Sequence, residues 1–189
     1  MKRQIEDRFA ELGGILTFHP PMTEEELAAI EGSLGGRLPE DFRDFMRAYG
    51  EAAFQADTWF RPARSSSLSP TPFRESPVYE ELPFSHFYGS SAGKQSLARR
   101  ITLCEGRMPD TIIPIGDDGF GNQICLGIKG NERGKVYYWD HENTWSEQRY
   151  REHFRRPMPL EYKFQNVYLV AESFADFIAR LEVRSELRP

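Results

Sequence analysis

The sequence predicts an α+β fold: a single domain with one mostly antiparallel central sheet and helices packed against it. Three observations lead there. Apolar residues repeat at helical spacing up to Gly50 and again near the C-terminus. Strand-type alternation with hairpin-length connections fills the middle of the chain, from Ile112 to Glu142. The regular strand–helix alternation of a nucleotide-binding α/β fold is missing.

The elements follow in order. Ile5, Phe9 and Leu12 mark a short amphipathic helix that Gly13-Gly14 stops, and Pro20-Pro21 keep Ile15 to Met22 extended. Thr23-Glu24-Glu25-Glu26 forms a capping box for a helix with Leu27, Ile30 and Leu34 inward, ended by Gly35-Gly36. Leu38-Pro39-Glu40-Asp41 starts the next helix, whose Phe42, Phe45, Met46 and Tyr49 share one face before Gly50 closes it. The pair needs an apolar surface to cover, and the sheet supplies one.

Trp59 to Pro83 holds five of the 13 prolines and a serine run, which predicts a long surface insertion with little regular structure. Phe84 to Tyr88 reads as a short strand, and about Lys94 to Glu105 as a helix with Leu97, Ile101 and Cys104 inward. In the central stretch, Ile124, Leu126 and Ile128 alternate, as do Val136/Tyr138 and Tyr137/Trp139, with turn chemistry at 129–134 between them. Ahead of this hairpin, Gly116, Gly119 and Gly121 sit among Asp117, Asp118 and Asn122, a turn shaped by short polar groups. Asn143 to Gln165 is polar, with Arg149, Arg151, Arg155 and Arg156 around Tyr150 and Phe154 in a partly helical, solvated face. Val167 to Ala171 is a strand, and Ser173 with Asp176 caps a last helix carrying Phe174, Phe177, Ile178 and Leu181.

At 189 residues the chain can bury a core without metals or disulfides, and we read one domain over 1–189, with a core at about 23–181 and the insertion at about 59–83. Hydrophobic residues at 39% and charged residues at 28% belong to a soluble globular protein rather than a disordered one. The net charge of −5 gives no help toward nucleic acid, so no direct nucleic-acid partner is expected and a basic protein partner is modestly favoured. Cys104 and Cys125 form no CxxC pair and read as buried thiols in a reducing compartment. The charged N-terminus lacks a signal-type apolar run and no stretch is apolar enough to span a bilayer, so a cytoplasmic location with no membrane partner is expected, export without a cleaved signal being the alternative.

Chemistry-bearing patterns are sparse. His19, His86, His141 and His153 have no ligand spacing, and no metal, cofactor or catalytic set is expected. The segment Asp117 to Asn122 lacks the alternating acids of a calcium loop and has Ile128 at its twelfth position. No P-loop, GxSxG elbow or dinucleotide fingerprint follows any strand. A small hydrolase using His141 with a nearby carboxylate is the enzyme alternative, although Asp140, His141 and Glu142 cannot all converge from one strand.

What remains is a group of aromatic and polar residues around a glycine-hinged turn: Asp117, Asp118, Phe120, Asn122, Trp139, Asp140, His141 and Glu142. We read them as protein-binding residues, with rings as anchors and charges as steering. On this reading Trp139→Ala weakens binding and leaves unfolding nearly unchanged. The competing reading places Phe120 and Trp139 in the core, and for Trp139 the sequence does not choose.

Four blocks, in order, resemble the SUKH superfamily, which includes the yeast cell-wall assembly regulator and many bacterial immunity proteins. They are Leu38 to Phe42 with Tyr49-Gly50, Ile113 to Asn122 with Ile124 to Leu126, Gly134 to Glu142, and Val170 to Phe177. The resemblance, over about Thr23 to Leu181, implies a SUKH-like α+β fold without catalytic residues. It also implies a binding module that neutralises a cognate polymorphic-toxin domain, of nuclease or deaminase type, by direct docking. A scaffold or regulatory adaptor is the alternative it carries. The 59–83 insertion and the 143–159 stretch depart from the compact pattern.

Overall fold

A computed structural model describes residues 2–64, 66–69, 77–90, 93–142 and 144–184, with backbone alone for 2–5. Strands β1 (Ile15–Thr17), β2 (Ala52–Phe60), β3 (Leu82–Phe87), β4 (Ile112–Asp117), β5 (Gln123–Gly127), β6 (Val136–Trp139) and β7 (Val167–Ala171) lie side by side in chain order. Every neighbouring pair is antiparallel. A two-residue strand, β8 (Glu182–Val183), pairs with Thr58 and Trp59 of β2. The α+β expectation with a mostly antiparallel sheet is met.

The helices follow their sequence signals. In α2 (Glu24–Leu34) the Thr23 side chain accepts from the Glu26 amide while Glu26 reaches back to the Thr23 amide, a complete capping box. Phe42, Phe45 and Met46 of α3 (Glu40–Ala48) are buried. Phe42 and Phe45 meet Phe174 of α6 (Phe174–Arg180) edge-to-face at 5.1 and 5.2 Å. Phe45 also reaches Phe87 of β3 at 4.7 Å, so the helical layer covers the sheet as predicted. Each such ring removed from water stabilises the fold by roughly 1.5–3 kcal/mol. Asp41 joins the layer together, accepting from the Ala175 amide at 3.1 Å in the first turn of α6. Arg43 of α3 ties that helix to α2: it is buried and donates to the Glu24 and Glu31 carboxylates. A first helix, α1 (Lys2–Glu11), adds the buried Phe9.

The opposite face of the sheet holds a second apolar cluster: Cys104, Met108, Ile112, Cys125, Tyr137, Trp139 and Val167. Alternation along β5 and β6 divides the two faces, with Ile124, Leu126, Val136 and Tyr138 in the main core and Cys125, Tyr137 and Trp139 in the second. Burial raises the Cys104 and Cys125 thiol pKa values, which keeps both sulfurs protonated and weakly nucleophilic.

Two segments differ from the sequence reading. Trp59 and Phe60 belong to β2 and Leu82 and Pro83 to β3, because Phe60 and Leu82 are core residues; the connection therefore spans 61–81. Residues 65 and 70–76 of it lie outside the described residues. The rest is anchored: the Arg64 amide donates to Leu169 O at 3.2 Å, the Leu68 amide to Val167 O at 2.7 Å, and Ser69 bridges Gln165. This covers the outer edge of β7. The helix expected at about 94–105 is shorter, α4 (Leu97–Cys104), because Ser96 accepts from the Arg99 amide and caps it there. The polar stretch after β6 is partly helical as read, with α5 (Glu147–Phe154) and a 3₁₀ turn at Leu160–Phe164.

In an antiparallel meander, successive connections leave from opposite ends. The β2–β3, β4–β5 and β6–β7 connections therefore share one end, where Phe60 pairs Leu82, Asp117 pairs Gln123 and Trp139 pairs Val167.

Candidate functional site

The turn between β4 and β5 sits at that end, and its backbone requires glycine. Gly119 and Gly121 have φ of 82° and 104°, and a Cβ on Gly121 would lie 3.0 Å from the His141 ring. Asp117 Oδ1 accepts from the Gly119 amide at 3.0 Å, and His86 Nδ1 lies 3.3 Å from the same oxygen. Asp118 Oδ1 accepts from the Phe120 and Asn122 amides at 2.8 and 3.1 Å. These are side-chain turns of the kind Asp forms two residues ahead of itself.

The other carboxylate oxygens point inward. Asp118 Oδ2 accepts from Asn122 Nδ2 at 2.7 Å and from the Tyr138 hydroxyl at 3.0 Å. The Tyr88 hydroxyl lies 3.0 Å from Asp117 Oδ2 and 2.8 Å from Gln123 Oε1. Burial, together with the facing carboxylates, raises the pKa of both tyrosines, so each hydroxyl stays a protonated donor. Gln123 Nε2 in turn donates to Gly121 O at 2.8 Å.

The second half of the site leaves β6. Asp140 Oδ1 accepts from the Glu142 amide at 2.8 Å and Oδ2 from the Tyr79 hydroxyl at 2.9 Å. Asn122 Oδ1 takes both the His141 amide at 3.2 Å and His141 Nδ1 at 2.7 Å, tying the two halves together. Asn166 Nδ2 donates to Glu142 O at 2.8 Å, and the Asp140 amide donates to Asn166 O at 3.0 Å.

The structure thus separates the eight residues singled out from sequence into two groups. Asp117, Asp118 and Asp140 are buried and engaged on both oxygens, so in this conformation they frame the turn instead of facing a partner. Trp139 is 1% exposed in the second apolar cluster. Its candidacy as an exposed anchor is therefore corrected: a partner cannot reach it, and truncating it to Ala destabilises the fold by about 3–5 kcal/mol. Phe120 stands apart at 77% exposed; Asn122 and His141 are half-buried and Glu142 is exposed. The core alternative for Phe120 is removed by that exposure.

Sequence reasoning missed the frame's inner partners, Tyr79, Tyr88, Gln123, Tyr138 and Asn166. A signal existed for the two tyrosines of the sheet region, because a buried tyrosine hydroxyl needs a partner. Among the described residues no group of three or more His, Cys, Asp and Glu is placed to hold a metal ion, and no helix is long and apolar enough to cross a membrane. The ring of His141 is held by an amide oxygen, not by a carboxylate. Chemically the arrangement is a rigid turn that presents one large apolar ring.

Residues 21–180 match the model of the SMI1 / KNR4 family (SUKH-1). The chain is also 28% identical over 168 residues to the SPbeta prophage-derived uncharacterized protein YokK of Bacillus subtilis (strain 168), a match spanning 84% of this chain and 74% of that protein.

Proposed function

We propose that this chain, which belongs to the SMI1/KNR4 family (SUKH-1), is a non-catalytic protein-binding module that neutralises a cognate polymorphic-toxin domain by direct docking. One observation carries the reading. The carboxylates of the β4–β5 turn are all held in internal hydrogen bonds, while Phe120 projects from the rigid frame at 77% exposed. A carboxylate that already accepts several donors is poorly placed for proton transfer, whereas an exposed ring on a pre-organised support loses little freedom on binding.

The contact face comprises Phe120, Asn122, His141 and Glu142, with Asp117, Asp118, Trp139 and Asp140 holding it in shape from behind. Phe120 enters an apolar hollow in the toxin domain, and Glu142 with the net charge of −5 steers a basic surface toward it. A nuclease or deaminase domain that handles polyanionic substrates presents such a surface. The docking takes place in the cytoplasm, before the toxin reaches its substrate.

The test is co-expression with a polymorphic-toxin domain found encoded beside the gene for this chain. Rescue of growth and a purified complex are expected. Phe120→Ala weakens that complex by about tenfold or more and leaves thermal unfolding within about 0.5 kcal/mol of the parent. Absence of both rescue and complex defeats the proposal. Capture of several unrelated housekeeping proteins instead of one toxin points to an adaptor.

A further inference from the structure

The long β2–β3 connection returns to the sheet at the end that carries the Phe120 turn. Phe60 pairs Leu82 at the close of β2, and antiparallel pairing of His86 with Asp117 carries the start of β3 past the end of β4. Gly119 packs 3.7 Å from the Ser85 side chain, measured from an ideal Cβ, which places the entry of β3 directly beside the turn.

Residues 77–81 do not hang free there. The Tyr79 hydroxyl donates to Asp140 Oδ2 at 2.9 Å, and its ring packs edge-on against Tyr138 at 5.5 Å and Tyr168 at 5.0 Å. The Tyr168 hydroxyl reaches back to Pro77 O at 2.8 Å. Tyr79 therefore touches both halves of the frame: Asp140, which also holds the Glu142 amide, and Tyr138, which also holds Asp118. With Tyr79 turned inward, its neighbours turn out. Val78 is 69% exposed, and Glu80 is exposed. The same end of the sheet thus presents a second large apolar group beside a second exposed carboxylate, repeating the Phe120 and Glu142 combination.

We propose that residues 77–81 are part of the docking face, with Tyr79 as the clasp and Val78 and Glu80 as partner contacts, and that the occupant is a basic protein surface. This rests on the protein-binding reading of the Phe120 turn and extends it to the insertion. Charge complementarity selects the occupant: the exposed charged side chains of residues 77–81, 118–122 and 140–142 are Glu80, Glu81 and Glu142, all carboxylates, on a chain of net charge −5.

The experiment measures binding of the toxin domain used in that co-expression to full-length chains carrying Val78→Asp, Glu80→Lys, Phe120→Ala or, as a control at the opposite end of the sheet, Asp110→Lys. All four positions are exposed, so each variant keeps the parent unfolding midpoint. Val78→Asp is expected to raise Kd about tenfold, and Glu80→Lys to slow association several-fold at low salt with the difference shrinking as salt rises. Asp110→Lys is expected to bind as the parent does. Loss with Phe120→Ala but parent-like binding by both insertion variants overturns this inference and leaves the broader reading standing. Parent-like binding by all variants, equal loss with Asp110→Lys, or no complex at all overturns both.

Discussion

Asp118 is the residue on which the rigidity of the turn depends, and Asp118→Asn tests that claim with almost no change of shape. The carboxylate is 4% exposed and accepts from the Phe120 amide, the Asn122 amide, Asn122 Nδ2 and the Tyr138 hydroxyl. An asparagine carbonyl can keep the two backbone bonds. Its NH₂ group then faces two donors, Asn122 Nδ2 and Tyr138 OH, where an acceptor stood. Two charge-assisted bonds at roughly 1.5–3 kcal/mol each are lost, and rotation of the Tyr138 hydroxyl to accept recovers part, leaving about 2–4 kcal/mol of destabilisation. For a domain of this size that lowers Tm by roughly 5–15 °C.

Tyr138→Phe removes one donor and leaves the remaining three, so it is expected to destabilise by about 1–2 kcal/mol. Because both changes remove the same bond, the double variant should fall short of the sum by about 1 kcal/mol or more. Urea unfolding followed by tryptophan fluorescence measures all three, and amide exchange at Phe120 and Asn122 reports the turn locally. Asp118→Asn within about 0.5 kcal/mol of the parent, or strict additivity with Tyr138→Phe, refutes the frame argument.

Three further outcomes are expected. Gly121→Ala must hold φ near 104° and push the His141 ring from 3.0 Å, so a loss of about 1–3 kcal/mol in urea unfolding is expected with His141 resonances displaced. Arg43 and Arg47 hydrogen-bond Glu24 and lower its pKa, so this contribution is full above the ordinary glutamate pKa and disappears as pH falls through the lowered folded value; Glu24→Gln should match the parent most closely at the acid end of a pH 7 to 3 series and fall behind it at neutral pH. Cys104 and Cys125 are buried with raised pKa values, so native protein should react with a thiol reagent only as fast as it opens, and two thiols should titrate at once in denaturant.

Local signals in the sequence reached far into the fold. The Thr23 box, the Ser173 cap and the α3 stripe are decided within one or two helical turns, and each forms as its residues require. The β5–β6 hairpin is equally local, since alternation sets its faces and the intervening turn its register. The longest strand, β2, was missed. Its Ala52, Phe54, Thr58 and Phe60 do alternate inward, but the register shift between Ala53 and Thr58 and a Thr among small residues weaken the period.

The candidate site divides along the same line. That Asp117, Asp118, Asn122 and the glycines build a turn follows from residue chemistry over six positions, and that Phe120 lies at its tip follows with it. Whether the carboxylates face solvent or the core depends on Tyr79, Tyr88 and Tyr138, which stand 61, 29 and 20 residues away from their partners. Trp139 shows the same dependence, because four apolar residues in a row leave both faces of β6 equally suited to burial until Cys104, Met108 and Val167 cover one and the helices the other. Sequence alone determined which short segments become helix, strand and turn, since those choices rest on neighbours along the chain. The tertiary structure decided which polar groups are framework and which are surface, since that is settled by atoms brought together only when the sheet closes up.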